Sequence, residues 1–171
     1  GEGENWGDFF MWQTCNYWMF DSYLIDESGN ETIWEEGKKQ EVAEALTFEE
    51  RNCLEGKIYT ATDYHHMSVY HYLEGSKFYS TGSSYFINWS FDPYNLWDSN
   101  TWVLTCDLDK DSWTGFKDDN VEITFDDHVS FKGSIHIHGF MGEDTIIAYQ
   151  GENRICKKII NYCDVEGIFN Y

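Results

Sequence analysis

The chain has 171 residues, of which 31 are acidic and 11 are basic, so its formal net charge at pH 7 is −20. A field of this sign repels nucleic-acid phosphates and anionic lipid headgroups, which argues against both as partners. The sequence has no apolar run long enough to insert into a membrane. Its first residues lack the basic and apolar regions of a signal peptide, so we expect the mature form of an exported protein.

Short segments of alternating polar and apolar residues, separated by turn residues, predict about ten β-strands. The predicted strands are residues 18–25, 57–62, 67–72, 77–80, 85–90, 102–108, 121–125, 134–138, 145–150 and 155–162. Turns are predicted at residues 27–30, 74–76, 81–83 and 141–143.

One segment departs from the strand pattern. Residues 38–55 are rich in Ala, Glu, Leu and Lys, and the sequence Thr47-Phe48-Glu49-Glu50 matches a capping box, which predicts one short helix near residues 40–55. We therefore expect an all-β fold, an antiparallel β-sandwich or jelly roll with that helix, and a barrel is the alternative. The length is typical of one domain, and we expect a single extracellular β-rich domain over residues 1–171.

The cysteines and two Asn-x-Ser/Thr motifs predict an extracellular protein, either secreted or held at the cell surface. The disulfide candidates are Cys15, Cys53, Cys106, Cys156 and Cys163. They include no Cys-x-x-Cys pair, which makes disulfides a better interpretation than zinc or redox chemistry. Two disulfides leave one thiol, which is either buried or joined to another chain. The candidate glycosylation sites are Asn30 and Asn88.

His136 and His138 are the first metal-binding candidates. They lie two residues apart in a predicted strand, so their side chains share a face at a Cα spacing of roughly 7 Å. The segment from His136 to Glu143 resembles the first cupin motif, in which His-x-His is followed after four residues by Glu. The resemblance implies a jelly roll and a transition metal held by the two histidines and Glu143. No His follows Gly151 to supply the ligand of a second cupin motif, and solvated histidines are the alternative.

The second metal candidate is the acidic segment from Asp107 to Asp111. Carboxylates at Asp107, Asp109 and Asp111 place oxygen ligands at alternate positions, as calcium requires. An EF-hand loop needs Gly at its sixth position, where this chain has Ser112. The segment is therefore either a calcium loop of another kind or an acidic hairpin connection that binds nothing. The sequence therefore does not require a cofactor, and calcium and a transition metal are the two candidates.

Aromatic residues make up 19% of the chain, more than a core of this size needs. Several lie in polar or turn-rich segments, where we expect partly exposed rings that form a binding surface. These residues are Trp89, Tyr94, Trp97, Trp102 and Trp113. Exposed Trp and Tyr rings stack on sugars, surround cations and anchor protein interfaces, so the composition allows three kinds of partner.

Charge is distributed unevenly along the chain. Residues 1–37 contain nine acidic residues and no Lys or Arg, whereas Arg154, Lys157 and Lys158 lie close together near the C-terminus. An acidic segment of one copy can dock on a basic strand of the next, and local pairing of the three cations is the alternative.

No complete catalytic motif is present, so we expect a non-catalytic glycoprotein that acts by contact. The leading hypothesis is a structural or adhesive subunit that assembles with itself, as a filament or matrix, or that binds another extracellular protein. The alternative is a secreted protein that holds a small cation or a glycan in an aromatic and acidic pocket. A metal-dependent, cupin-like enzyme is the third hypothesis.

Overall fold

The computed structural model describes residues 15–59, 66–81, 101–124, 129–149 and 151–170. Every regular element within these ranges is a β-strand. The strands are β1 (Tyr17–Ile25), β2 (Glu31–Phe48), β3 (Arg51–Tyr59), β4 (His66–Glu74), β5 (Lys77–Thr81), β6 (Trp102–Asp107), β7 (Ser112–Thr124), β8 (Ser130–Tyr149) and β9 (Glu152–Asn170). The described ranges contain no helix long and apolar enough to cross a membrane.

The described chain divides into two compact units. The first contains the described residues up to Gly75 together with Ser80, Thr81 and Thr101. The second contains Ser76–Tyr79 and the described residues from Trp102 onward. The expectation of a single domain over the whole chain stays a prediction.

In the first unit, β1, β2, β3 and β4 lie side by side in chain order and pair antiparallel. Val42, Gly56 and Val69 are direct neighbours in a row across β2, β3 and β4, and all three are buried. The Lys38 side chain is also buried, and its Nζ lies 2.8 Å from Oε2 of Glu35. Charge pairing of this kind is the usual condition for burying a lysine.

The helix predicted near residues 40–55 is wrong. These residues form the end of β2, a two-residue turn at Glu49 and Glu50, and the first half of β3. Glu49 has φ 45° and Glu50 has φ 60°, so both residues adopt the left-handed conformation. The predicted capping box would instead have required helical or extended backbone at these positions. Pairing with β1 on one side and β3 on the other satisfies the β2 backbone, and this tertiary context overrides helix propensity.

The second unit contains the three-stranded antiparallel sheet β7-β8-β9, in which β8 and β9 are 20 and 19 residues long. The strand predicted at residues 134–138 is confirmed as part of β8. Ile135 and Ile137 are buried, whereas His136 and His138 project from the opposite face and are partly exposed. The alternation of apolar and polar residues therefore identified both faces of this strand.

The turn predicted at residues 141–143 is wrong. These residues continue β8, and the pairing with β9 shifts register between Met141 and Asp144. A β-bulge therefore takes up the extra residue. The hairpin turn instead includes Gly151, whose φ of 81° suits glycine. The predicted strand at 85–90 and most of the predicted turn at 81–83 lie outside the described residues.

Candidate functional site

The outer face of β8 carries the two histidines that the sequence identified. Nε2 of His136 lies 2.6 Å from Oδ1 of Asp119, and Nδ1 of His138 lies 3.5 Å from Oδ2 of Asp164. The hydrogen bond from His136 is the largest of the effects that lower the pKa of Asp119. The His138 ring also stacks on Tyr162, with ring centroids 5.4 Å apart. Each imidazole thus has its own carboxylate, supplied by β7 or β9.

Glu143 does not join the two histidines. It lies on the same strand, five residues beyond His138, which corresponds to roughly 16 Å of extended chain. β8 continues without a turn from His138 through Glu143. No group of three or more His, Cys, Asp or Glu side chains within the described ranges is arranged to hold a metal ion. Transition-metal binding by His136 and His138 stays a prediction.

The acidic segment at 107–111 connects β6 to β7. Asp107 is buried, and its Oδ1 accepts hydrogen bonds from Oγ of Ser76 at 2.9 Å and from the backbone N–H of Asp109 at 3.2 Å. The backbone carbonyl of Asp107 accepts a third bond from the N–H of Lys110 at 3.1 Å. Asp107 therefore fastens the turn, while Asp109 and Asp111 are exposed. Calcium binding at this turn stays a prediction.

Only part of the predicted aromatic surface is described. The prediction that Trp113 is exposed is wrong, because this side chain is 8% exposed and its indole lies over Gly139 of the neighbouring strand. Glycine leaves the space that the indole fills. Trp102 is half-buried. The remaining three predicted residues, Trp89, Tyr94 and Trp97, lie outside the described residues.

Large apolar side chains are exposed at other positions. In the first unit most of them lie on β1 and β2, including Tyr17, Met19, Tyr23, Ile33 and Trp34, and Leu73 lies on β4. In the second unit they lie on β8 and β9, and they include Ile146, Ile147, Ile155, Tyr162, Val165, Ile168 and Phe169. Ile146 and Ile155 are direct cross-strand neighbours, and each residue is more than two thirds exposed.

A second feature that the sequence did not reveal is a cage around Lys39. Its Nζ lies 5.2 Å from the ring centroid of Tyr17 and 5.5 Å from that of Tyr59, and 2.5 Å from Oε2 of Glu41. The hydrogen bond to Glu41 is the largest of the effects that raise the pKa of Lys39. Two aromatic rings and a carboxylate are the chemistry that recognises ammonium groups. The cage forms only through the pairing of three strands, which local sequence does not specify.

All five cysteines are free thiols in the structure. Cys53 and Cys106 are buried, Cys15 is exposed, and Cys156 and Cys163 are intermediate. Burial raises the pKa of Cys106 and of Cys163 to about 11, so both thiols are protonated and weakly nucleophilic at neutral pH.

The candidate glycosylation site Asn30 lies in the exposed turn between β1 and β2. Its backbone N–H and its Nδ2 each lie 2.8 Å from a carboxylate oxygen of Asp26, which accepts both bonds. These hydrogen bonds, with the bond from the Asn30 side chain as the largest effect, lower the pKa of Asp26. The second candidate, Asn88, lies outside the described residues.

Two of the three C-terminal cations have local acidic neighbours. Nζ of Lys157 lies 2.6 Å from Oδ1 of Asp144, and Nη2 of Arg154 lies 3.8 Å from Oε2 of Glu152. Within the described part of the chain, Lys158 forms no ion pair.

Comparisons with protein-family models, with curated proteins and with solved structures give no match.

Proposed function

We propose that this protein is a non-catalytic, extracellular structural or adhesive subunit that assembles with copies of itself. The exposed apolar surface is the observation that carries the proposal. Fourteen large hydrophobic side chains are exposed in the described ranges, compared with twelve hydrophobic side chains that are buried. A soluble chain rarely exposes contiguous apolar surface without a partner to cover it. The proposal includes the predicted sandwich or jelly-roll arrangement. The burial of only one face of β8 supports this arrangement.

The extracellular part of the proposal rests on accessible modification sites. Asn30 lies in an exposed turn, where a glycan meets no packing obstacle. Cys15 is the exposed thiol, and we propose it as the residue that joins chains in an oxidising compartment. Mass spectrometry of the natural material, with and without reduction, tests both modifications.

Electron microscopy and sedimentation of the native material test the assembly. We expect filaments, sheets or discrete oligomers whose average mass rises with protein concentration. A strictly monomeric particle at high concentration would contradict the proposal.

The Lys39 cage favours a second candidate function, the binding of a small organic cation. Tyr17, Tyr59 and Glu41 already hold an ammonium group, which belongs to the chain itself. An external ammonium ligand enters this site when Lys39 swings out. Such exchange is physically accessible because both Lys39 and Glu41 are partly exposed to solvent.

Titration with tetramethylammonium, followed by intrinsic fluorescence, tests this candidate. We expect weak, saturable binding to the natural chain, tighter binding to Lys39→Ala, and none to Lys39→Ala combined with Tyr17→Ala. Lys110→Ala, which removes an exposed lysine from a turn, serves as the control. Equal responses in all four proteins would rule out the cage as a binding site.

A further inference from the structure

Strand β9 forms an open edge in the described part of the second unit. It pairs with β8 from Glu152 to Asn170, and its other side has no strand partner within the described ranges. Proteins usually protect such edges with short strands, prolines, bulges or charged side chains. β9 is 19 residues long and contains no proline, and the bulge near Met141 lies in β8. The backbone of this edge is therefore open to another strand, and the charges of β9 decide which strand it accepts.

The charges of β9 are arranged with opposite signs at its two ends. The first half begins with Glu152 and then carries Arg154, Lys157 and Lys158, so it is basic on balance, whereas the second half carries Asp164 and Glu166. A parallel copy of the strand would place like charges side by side. An antiparallel copy places the basic half of each strand along the acidic half of the other, which is favourable for cross-strand pairs. The sequence of β9 is thus complementary to itself in one orientation.

We propose that β9 pairs antiparallel with β9 of a second copy of this chain, with Asn161 opposite Asn161. The inference rests on the proposed self-assembly and identifies one contact through which two copies join. Lys158 selects the register, because it lacks an ion pair within the described ranges, whereas Arg154 and Lys157 have acidic neighbours. In this register Lys158 of each copy lies opposite Asp164 of the other, and both side chains project from the outer face of the sheet.

The same register covers exposed apolar surface on the opposite face. Ile155, which is 74% exposed, comes to lie opposite Gly167 of the second copy. There it is flanked diagonally by Val165 and Phe169, both more than one third exposed. Two copies of this cluster form because the contact is symmetric. The result is a continuous six-stranded sheet made of two three-stranded sheets.

A charge exchange tests the pairing. Sedimentation velocity gives the dimer dissociation constant for the natural chain, Lys158→Glu, Asp164→Lys and the double variant. We expect each single variant to weaken the dimer on the order of ten-fold, because like charges then meet twice, and the double variant to recover affinity. Within one chain the two side chains are six residues apart, roughly 20 Å along the strand. Recovery therefore reports contact between chains.

A matched control uses an ion pair that is not on β9. Lys132 and Glu122 form an exposed pair between β8 and β7, and Lys132→Glu makes the same change of charge as Lys158→Glu. We expect it to leave the dimer unchanged. Urea denaturation of every variant shows whether a substitution changes the stability of the folded chain, which would alter the dimer indirectly. Hydrogen exchange adds a direct readout, since alternate β9 amides, those that point away from β8, exchange more slowly at high protein concentration when β9 is paired.

The outcomes separate this inference from the proposed function. Assembly that is insensitive to both β9 variants and leaves β9 exchange unchanged overturns the pairing and leaves self-assembly standing. A chain that is monomeric at every concentration overturns both. Weakening without recovery in the folded double variant overturns the antiparallel register.

Discussion

At the residue scale, Gly139 is the position that leaves room for the indole of Trp113 in the second unit. It lies between Trp113 of β7 and Asn161 of β9 in a row across the sheet. A Cβ at Gly139 would lie 2.4 Å from the Cε2 and Cζ2 atoms of Trp113 and 2.4 Å from Oδ1 of Asn161. Real Cβ atoms do not approach neighbours this closely, so the indole depends on a glycine beneath it.

We predict that Gly139→Ala lowers the free energy of unfolding by about 1–3 kcal/mol, because the indole must shift within a packed core. Urea denaturation followed by tryptophan fluorescence measures this change. Gly142→Ala in the same strand is the control, since its Cβ would lie 3.2–3.3 Å from side-chain atoms of Lys158 and Ile160, well beyond the 2.4 Å at Gly139. Equal losses in the two variants would contradict this account of the indole.

His71 is a buried titratable group in the first unit, and its Nδ1 lies 2.8 Å from Oγ of Ser80. Burial lowers the pKa of His71 to about 3, below the ordinary value of 6.5. The folded state therefore favours the neutral ring. Its contribution to stability is complete above about pH 6.5 and is lost as the pH falls toward 3.

We predict that this group makes the free energy of unfolding fall by up to about 1.4 kcal/mol per pH unit below pH 6.5. His71→Asn, which keeps a polar partner for Ser80, is expected to be less stable at pH 7.5 but to lose less stability on acidification. Urea titrations at several pH values measure both slopes. Ser80→Ala keeps the histidine and should retain the natural slope. Identical slopes in the natural chain and His71→Asn would show that another group controls the acid response.

At the scale of elements, the hairpin of β2 and β3 shows how a turn replaces a predicted helix. Phe48 pairs with Arg51, so the two residues between them form the turn, and both have positive φ. Positive φ at both central residues is the type I′ pattern, which favours Asn-Gly and carries a steric cost for glutamate.

We predict that Glu49→Asn combined with Glu50→Gly raises the free energy of unfolding by about 1 kcal/mol, because it removes left-handed strain at two positions. Thermal and urea denaturation measure the gain. Glu49→Gln with Glu50→Gln removes the same two charges without relieving the backbone and should gain less. If the glutamine variant matches the Asn-Gly variant, charge rather than backbone conformation explains the effect.

At the scale of the whole molecule, buried thiols report on the two compact units. Cys53 is buried in the first unit and Cys106 is buried in the second. Burial is the largest of the effects that raise the pKa of both thiols, so each reacts slowly while its surroundings remain folded. Cys15 is exposed and provides a reference for a thiol that needs no unfolding.

We predict that Cys53 and Cys106 become reactive toward iodoacetamide at the same urea concentration, as expected for the single cooperative domain that the chain length indicates. Peptide mass spectrometry after short labelling pulses measures both midpoints, and Cys15 should react at every urea concentration. Two separate midpoints would contradict the single-domain prediction.

Much of the fold follows from local sequence patterns. Alternation over residues 134–138 correctly predicted a strand, and the structure buries Ile135 and Ile137 on one of its faces, because successive side chains of a strand point to opposite faces. The all-β class and most described strands were predicted in the same way. Residues 38–55 were mispredicted because helix propensity is a weak preference that strand pairing on both sides overrides.

The sequence by itself determined the charge of the chain, its β-rich class and the shared face of His136 and His138, because these depend on composition and on neighbours along one strand. Only the tertiary structure decided that Trp113 is buried against Gly139 of the neighbouring strand, that Glu143 lies far from the histidines, and that Lys39 is held between two tyrosines. These outcomes depend on register and on bulges. Register joins residues that are distant in the chain, so local sequence patterns do not reveal it.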